Sequence, residues 1–416
     1  MRRIVLAVLL AAGVLVACSA SRPSDIIIGT LYPTAGPQGP QGQEEQHGVE
    51  LAAQWANQHG GINGHHLRLI SAGPLDRPEA VPDAMASLRH QGVSIVVGSH
   101  GSEFSSVAAD YASSNNMLLW ETGAVGESDG GVTGGANFIR MSPMGANLGK
   151  TAVDFVNNGL AGKLPQHSSP LRWAIAFVND QYGRAVAGGA EAEASATGQP
   201  VVAMFPYAQN GTDFAALVSR IAAARPDVLY VSAYLADGTA LRRALVAGHV
   251  PLLVNLGTSS SYCMPQFGQE LGQDAVGVYA SDKPDAAAVR TDALTPEGRA
   301  ALAWVAPRYQ AAYHTEMSAH ALSGFSNAYA LFEHVLPVAG SLAPAGVSAA
   351  ALRVKLPIGS LANGGGMDIA SLGAKDAGNN RAAAGVVEEW VAPGQMDVVW
   401  PLAFATHPIA YVPIDR

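Results

Sequence analysis

Short apolar runs that stop at glycine or small polar residues alternate, along nearly the whole chain, with longer segments of helical periodicity. The clearest unit spans residues 92–125. Ser94-Ile95-Val96-Val97-Gly98 reads as a buried strand, Ser99-His100-Gly101-Ser102 as a polar loop, residues 103–114 as a helix and Met117-Leu118-Leu119-Trp120 as a parallel return strand. Glu121-Thr122-Gly123-Ala124-Val125 then leaves the same sheet edge as the first loop, and open α/β sheets bind their ligands at such edges. Ser102 is placed as an N-cap, in front of backbone N–H groups that attract a carboxylate or another electron-rich group. The alternative is that Ser102 only caps its own helix.

The alternation extends in both directions. Residues 25–31 form a strand, 33–40 an irregular loop, 43–58 a helix and 60–64 a glycine-rich turn into the strand at 67–70. Asp76-Arg77-Pro78-Glu79 opens a second helix with a cap, a first-turn proline and an acid that complements the dipole. Beyond a crossover at Ser142-Pro143-Met144 the pattern starts again: strands at 173–178, 201–205, 228–232 and 252–256, with helices from Tyr182, over 213–224 and from Asp237. Residues 276–280 are expected to return the chain to the first half, where 296–313 and 319–338 supply long helices, and 384–390 to cross once more. This predicts an α/β chain with two doubly wound parallel sheets. A length of 416 residues likewise favours two domains over one core.

Composition narrows the classes of function. With 49% hydrophobic against 14% charged residues the chain should bury a large core. The net charge of -9, with no Lys/Arg cluster, speaks against nucleic acid as a partner. At the N-terminus, Arg2-Arg3 precede an apolar run over 4–16 that is too short to span a bilayer and has the form of a secretory signal. It ends Leu15-Val16-Ala17-Cys18, which is similar to the bacterial lipobox. Residues 1–18 are thus expected to be a lipoprotein signal peptide with Cys18 as the lipidation site, and 19–24 a tether. The other cysteine, Cys263, has no partner for a disulfide once Cys18 is acylated, and reads as a small buried residue.

No catalytic constellation stands out. HExxH, GxSxG, P-loop and paired-cysteine patterns are absent, the 12 histidines are scattered, and Gly130-Gly131-Val132-Thr133-Gly134-Gly135 reads as a loop. The expectation is a protein that is not an enzyme and uses no cofactor or metal, with a lipid-anchored hydrolase as the remote alternative.

Taken in chain order, Ile28-Gly29, Ala35-Gly36-Pro37, Gly60-Gly61-Ile62-Asn63-Gly64, Val97-Gly98 with Ser102, Gly123-Ala124, Phe138-Ile139-Arg140, Asp180-Gln181-Tyr182-Gly183, Thr212-Asp213-Phe214, Pro226-Asp227-Val228-Leu229-Tyr230 and Val399-Trp400-Pro401 carry a resemblance. The chain resembles the periplasmic leucine/isoleucine/valine-binding protein family, the type I substrate-binding proteins of branched-chain amino acid ABC transporters. The resemblance implies two α/β lobes joined by a three-strand hinge: residues 25–143 plus 282–379 as the amino-terminal lobe, and 144–281 plus 380–416 as the carboxy-terminal lobe. It also implies an exported monomer, lipid-anchored outside the cytoplasmic membrane or in the periplasm, that closes on a small molecule and delivers it to a permease and its ATPase. A sensor subunit signalling to a membrane partner is the alternative function.

Carried over residue by residue, the ligand's carboxylate and ammonium fall to Ser102, Gly123, Ala124 and Val125, and the closing tyrosines to Tyr182 and Tyr234. Val125 stands where amino-acid binders carry a threonine, and Thr258 marks the neighbourhood where they place an acid. Gln41 and His100 stand where branched-chain binders put apolar or aromatic side chains, and Glu121 heads the second loop. The ligand expected is a small polar molecule: an amino acid, an amide, or a related compound rich in donors and acceptors.

Overall fold

The computed structural model describes residues 24–126, 136–165 and 170–414. The signal segment, Cys18, all of the tether but Ser24, and the glycine run Gly130 to Gly135 lie outside them.

The strands in chain order are β1 (Ile26–Leu31), β2 (Leu67–Ser71), β3 (Ile95–Gly98), β4 (Leu118–Glu121), β5 (Phe138–Arg140), β6 (Trp173–Val178), β7 (Val201–Tyr207), β8 (Val228–Ser232), β9 (Val254–Thr258), β10 (Tyr279–Asp282), β11 (Lys355–Leu356), β12 (Met367–Asp368), β13 (Val386–Ala392) and β14 (Gln395–Trp400). The helices are α1 (Gly39–Gln58), α2 (Val81–His90), α3 (Ser102–Ser114), α4 (Gly145–Asp154), α5 (Gln181–Ala196), α6 (Phe214–Ala224), α7 (Leu235–Ala247), α8 (Pro265–Leu271), α9 (Pro296–Tyr313), α10 (Ala319–Tyr329) and α11 (Pro344–Arg353).

The first sheet has the order β2-β1-β3-β4-β5 and is parallel throughout. The second has the order β14-β13-β10-β9-β8-β6-β7, and its parallel part repeats the first order, with β13 and β14 added antiparallel at one edge. Alternation along a strand explains why both faces of the first sheet are covered. Ile95 and Val97 of β3 point into one apolar cluster, with α1, α9, α10 and α11. Val96 between them points into another, with α2 and α3.

In each lobe one helix pair packs backbone to backbone across glycines. A Cβ on Gly48 of α1 would lie 2.0 Å from the Ala321 carbonyl oxygen, and one on Gly324 of α10 would lie 2.1 Å from that of Glu45. In the second lobe a Cβ on Gly149 of α4 would lie 2.3 Å from the Val186 oxygen, and one on Gly189 of α5 would lie 2.3 Å from the Ala146 oxygen. These close approaches place α1 and α5 beside the loops discussed below.

The chain passes between the lobes after β5, after β10 and before β13. The first and third passages run side by side: the Arg140 N–H donates to the Gly378 carbonyl, the Asn380 N–H to the Arg140 carbonyl, and Asn380 Nδ2 to the Met141 carbonyl.

Three local expectations need correction. Residues 276–280 do not return to the first sheet, because β10 pairs with β9 and β13 and the chain leaves only after Asp282. The strand expected at 252–256 begins two residues later, since Leu253 still hydrogen-bonds back to Asp227 through its N–H. Pro78–Ala80 is a separate 3-10 turn ahead of α2, and Asp76 pairs with Arg77 at 3.1 Å instead of capping.

Replacing Gly48 or Gly324 by alanine is expected to cost about 1–3 kcal/mol, because backbone must move to admit each Cβ. Gly188 of α5, whose Cβ would meet nothing within 4 Å, is the control. Gly188→Ala should stabilise by roughly 0.5–1 kcal/mol through helix propensity. Denaturant unfolding of the three variants checks both signs.

Candidate ligand-binding site

The sheet order places β1 and β3 side by side, with their connections leaving in opposite directions, and such switch points are where doubly wound sheets bind ligands. Glu121, the last residue of β4 and paired with Gly98, sends its side chain into this point and is fully buried. Its Oε2 accepts from the Ser99 N–H at 2.7 Å, from Ser99 Oγ at 3.3 Å and from Ser105 Oγ at 2.5 Å. Its Oε1 accepts from the Gly123 and Ala124 N–H groups at 2.8 Å each and from the His100 N–H at 3.3 Å. Two of the four residues to which the resemblance carries the ligand's carboxylate and ammonium, Gly123 and Ala124, thus give their N–H groups to a carboxylate of the chain itself. Burial, then the nearby Glu45, push the Glu121 carboxyl above its ordinary value, while these donors pull it back.

Glu45 of α1 is a second fully buried carboxylate at the same edge. Its Oε2 accepts from His100 Nδ1 at 2.8 Å and its Oε1 from Thr122 Oγ1 at 2.5 Å, which in turn lies 2.6 Å from the Tyr32 hydroxyl. Gly123 is required here, because a Cβ would sit 2.0 Å from Glu45 Oε2. The Thr122 carbonyl is held by Ser142 Oγ at 2.5 Å, Ser323 Oγ at 2.9 Å and Asn327 Nδ2 at 2.6 Å. Lys283, also buried, reaches the Gly123 carbonyl at 3.4 Å.

Ser102 is not the N-cap. Gly101 occupies that position with extended backbone, Ser102 opens α3, and its Oγ accepts from the Gly126 N–H at 3.0 Å. His100, with φ of 72°, turns the loop ahead of Gly101. Gln41 is buried in the first turns of α1, and its Oε1 has no hydrogen-bond partner.

The facing lobe contributes an aromatic pair. Tyr182, at the start of α5, and Tyr234, the N-cap residue of α7, have ring centroids 5.5 Å apart. Tyr182 donates to the Ser259 carbonyl, and Tyr234 donates to Asp180 Oδ2 at 2.7 Å. Asp180 also caps α5 through the Gly183 N–H at 2.8 Å. Gln38, from the loop before α1, donates to the Tyr234 hydroxyl at 3.2 Å, so a polar chain runs from one lobe to the other. Val125 packs into the second lobe's apolar cluster with Tyr182. The Thr258 Oγ1 donates to the Ser281 carbonyl at 2.6 Å and secures β9 to β10.

The structure thus gathers Ser102, His100, Gly123, Ala124 and Val125 on one edge, with Tyr182 and Tyr234 facing it. A sequence profile of the family described as periplasmic binding protein matches residues 25–358. The chain belongs to the periplasmic binding protein family. It is 29% identical over 349 residues to Leu/Ile/Val-binding protein homolog 8 of Brucella abortus, spanning 83% of this chain and 84% of that one. The leucine-binding protein LivK of Thermotoga maritima superposes with a TM-score of 0.73 at 17% identity, covering 90% of this chain and 97% of that one. A solute-binding protein of an ABC transporter from R. palustris, in complex with benzoate, gives 0.69 at 15% identity over 94% and 99% of the two chains. At these identities the two structures speak for the fold.

Within this periplasmic binding protein, no group of three or more His, Cys, Asp or Glu among the described residues is placed to hold a metal ion. His100 and Glu45 form an acid–base pair, yet the His100 ring lies edge to face on His320, centroids 5.0 Å apart, with no nucleophile hydrogen-bonded to it among the described residues. Cys263 is buried, donates its thiol to Asp282 Oδ2 at 2.9 Å, and is held well above the ordinary thiol value by burial and by Asp282. No helix among the described residues is long and apolar enough to cross a membrane.

Asp237, in the first turn of α7, accepts from the Tyr207 hydroxyl at 2.5 Å, and burial pushes its carboxyl from 3.8 up to about 6. Between those values the folded protein keeps a proton that the unfolded chain has released, so stability falls as pH rises through that window. The Tm of the native protein should fall from pH 3.8 to about 6 relative to Asp237→Asn, whose amide does not ionise. Parallel Tm curves for the two proteins would remove Asp237 as the cause.

Proposed function

We propose that the protein is the extracytoplasmic solute-binding lipoprotein of an ABC importer, anchored through Cys18, which captures a small polar molecule by closing its two lobes. The observation that supports this best is the meeting of two like-ordered parallel sheets at their carboxyl edges, bridged by Gln38, Tyr234 and Asp180. A ligand docks on the edge formed by Ser102 and Gly123 to Val125; the lobe carrying Tyr182 and Tyr234 then closes and expels water. The closed form is what a permease recognises.

The relatives named above bind carboxylates by their descriptions, leucine in one case and benzoate in another. Here a ligand carboxylate would have to displace Glu121 from six hydrogen bonds, or sit against it and Glu45 without the Gly123 and Ala124 donors. Either route is unfavourable in a buried site. Ligands that bring donors, such as amides or urea-like compounds, fit this edge better than free acids.

A thermal-shift screen of the chain lacking residues 1–18, against amino acids, amides, short peptides, aromatic acids and polyols, tests the reading, since a ligand of the native state raises Tm. Against the best hit, Ser102→Ala is expected to weaken binding by about 1–3 kcal/mol. An unchanged affinity takes Ser102 out of the site; a screen without hits defeats the function.

A further inference from the structure

A cavity of about 260 Å³ lies between the lobes. Its walls come from α1, from residues 315–320 leading into α10, from residues 263–269 after β9, and from β13 and β14. Four carboxyl groups line it: Glu44, Asp285, Glu316 and Glu388. The one basic side chain in the lining is His320, packed against His100. Two buried atoms in the wall, Glu388 Oε2 and His320 Nε2, lack any hydrogen-bond partner among the described residues, and the two residues are only 1% and 2% exposed. A buried acceptor left in this state costs of order 1–3 kcal/mol, which a donor brought from outside would recover.

We propose that this cavity receives the amine or guanidinium end of a small organic cation. The inference rests on the solute-binding reading and names the charge of the solute. Charge, satisfaction and shape agree. Glu388 offers an unpaired acceptor oxygen, and His320 offers a ring nitrogen that accepts in the neutral imidazole. Burial, with His100 and Lys283 nearby, holds that imidazole well below its ordinary value, so it brings no competing charge.

The acids have been pushed the other way. Glu388 is raised well above the usual carboxyl range by burial and by Asp285, Asp282 and Asp397, and Asp285 is raised by burial and by Glu316 and Asp397. A cation placed among them removes the repulsion that raises them. The acids are too dispersed for a metal, because no three metal-ligating side chains converge among the described residues. That spacing suits an extended molecule. The apolar part of the wall is supplied by Met264, Met317 and Met396, whose thioethers adapt to a methylene chain.

The test is calorimetric titration of the chain lacking residues 1–18 with agmatine and putrescine, and with isoleucine, acetamide and benzoate as comparison probes. The expected result is binding of agmatine or putrescine, weakened about tenfold in Glu388→Gln by loss of one charge-assisted contact. Glu388 is buried, so Glu316→Lys on the exposed rim provides a second variant that should leave the fold intact and weaken the amine roughly threefold. Amine binding indifferent to both variants overturns the location. Binding of isoleucine, acetamide or benzoate with no binding of either amine overturns the cation and leaves the solute-binding function standing. If none of the five probes binds, the cation assignment falls, and the wider screen above decides the function separately.

Discussion

The carboxylate of Glu121 is the constraint on which the cleft depends. A buried carboxylate is costly unless its lone pairs are filled, and here both oxygens are engaged by backbone N–H groups and hydroxyls from two loops. The loop after β3 and the loop after β4 are held to the same anion and thereby to each other. Glu45 performs a similar task one layer behind, joining α1 to His100 and Thr122. Residues 99, 100, 123 and 124 are thus held in place by the chain itself.

The second lobe rebuilds the same strand order from a different sequence, and the economy of the design lies there. Two like-wound sheets present the same kind of edge, and the two edges are bridged by Gln38, Tyr234 and Asp180. The halves are chemically unequal. The first is a rigid array of charges and backbone donors, and the second is a pair of tyrosines whose hydroxyls point to Asp180 and to Ser259. Rigid aromatic faces have little conformational entropy to lose in making contacts.

Much of the fold was legible along the chain because the first sheet and the larger part of the second are parallel and buried, so their strands appear as short continuous apolar runs between helical segments. β6, β8 and α9 begin and end where the pattern places them. The return of residues 276–280 to the wrong sheet shows the limit: an apolar run records burial without recording its neighbour. Ser102 illustrates a finer limit, since the choice between Gly101 and Ser102 as cap turns on one backbone torsion and on Gly126, which lies 24 positions away. The roles of Glu45 and Glu121 were hidden for the same reason. Glu121 ends an apolar run and is visible as an oddity, whereas Glu45 lies in the polar stretch Gln43-Glu44-Glu45-Gln46, and in both cases the donors that make the buried acid tolerable come largely from residues distant in sequence.

That oddity carries the functional argument further than the matching motifs do. Family motifs report a scaffold, and scaffolds of this kind hold leucine in one neighbour and benzoate in another. A single side chain at the end of β4 changes what the scaffold can ask of a solute. With the Gly123 and Ala124 N–H groups engaged from within, the edge has fewer donors to offer, and the neighbouring cavity is lined by four more carboxyl groups. What sets this edge apart is that two carboxyl groups of the chain itself, Glu45 and Glu121, are buried in it and held by donors from the surrounding loops.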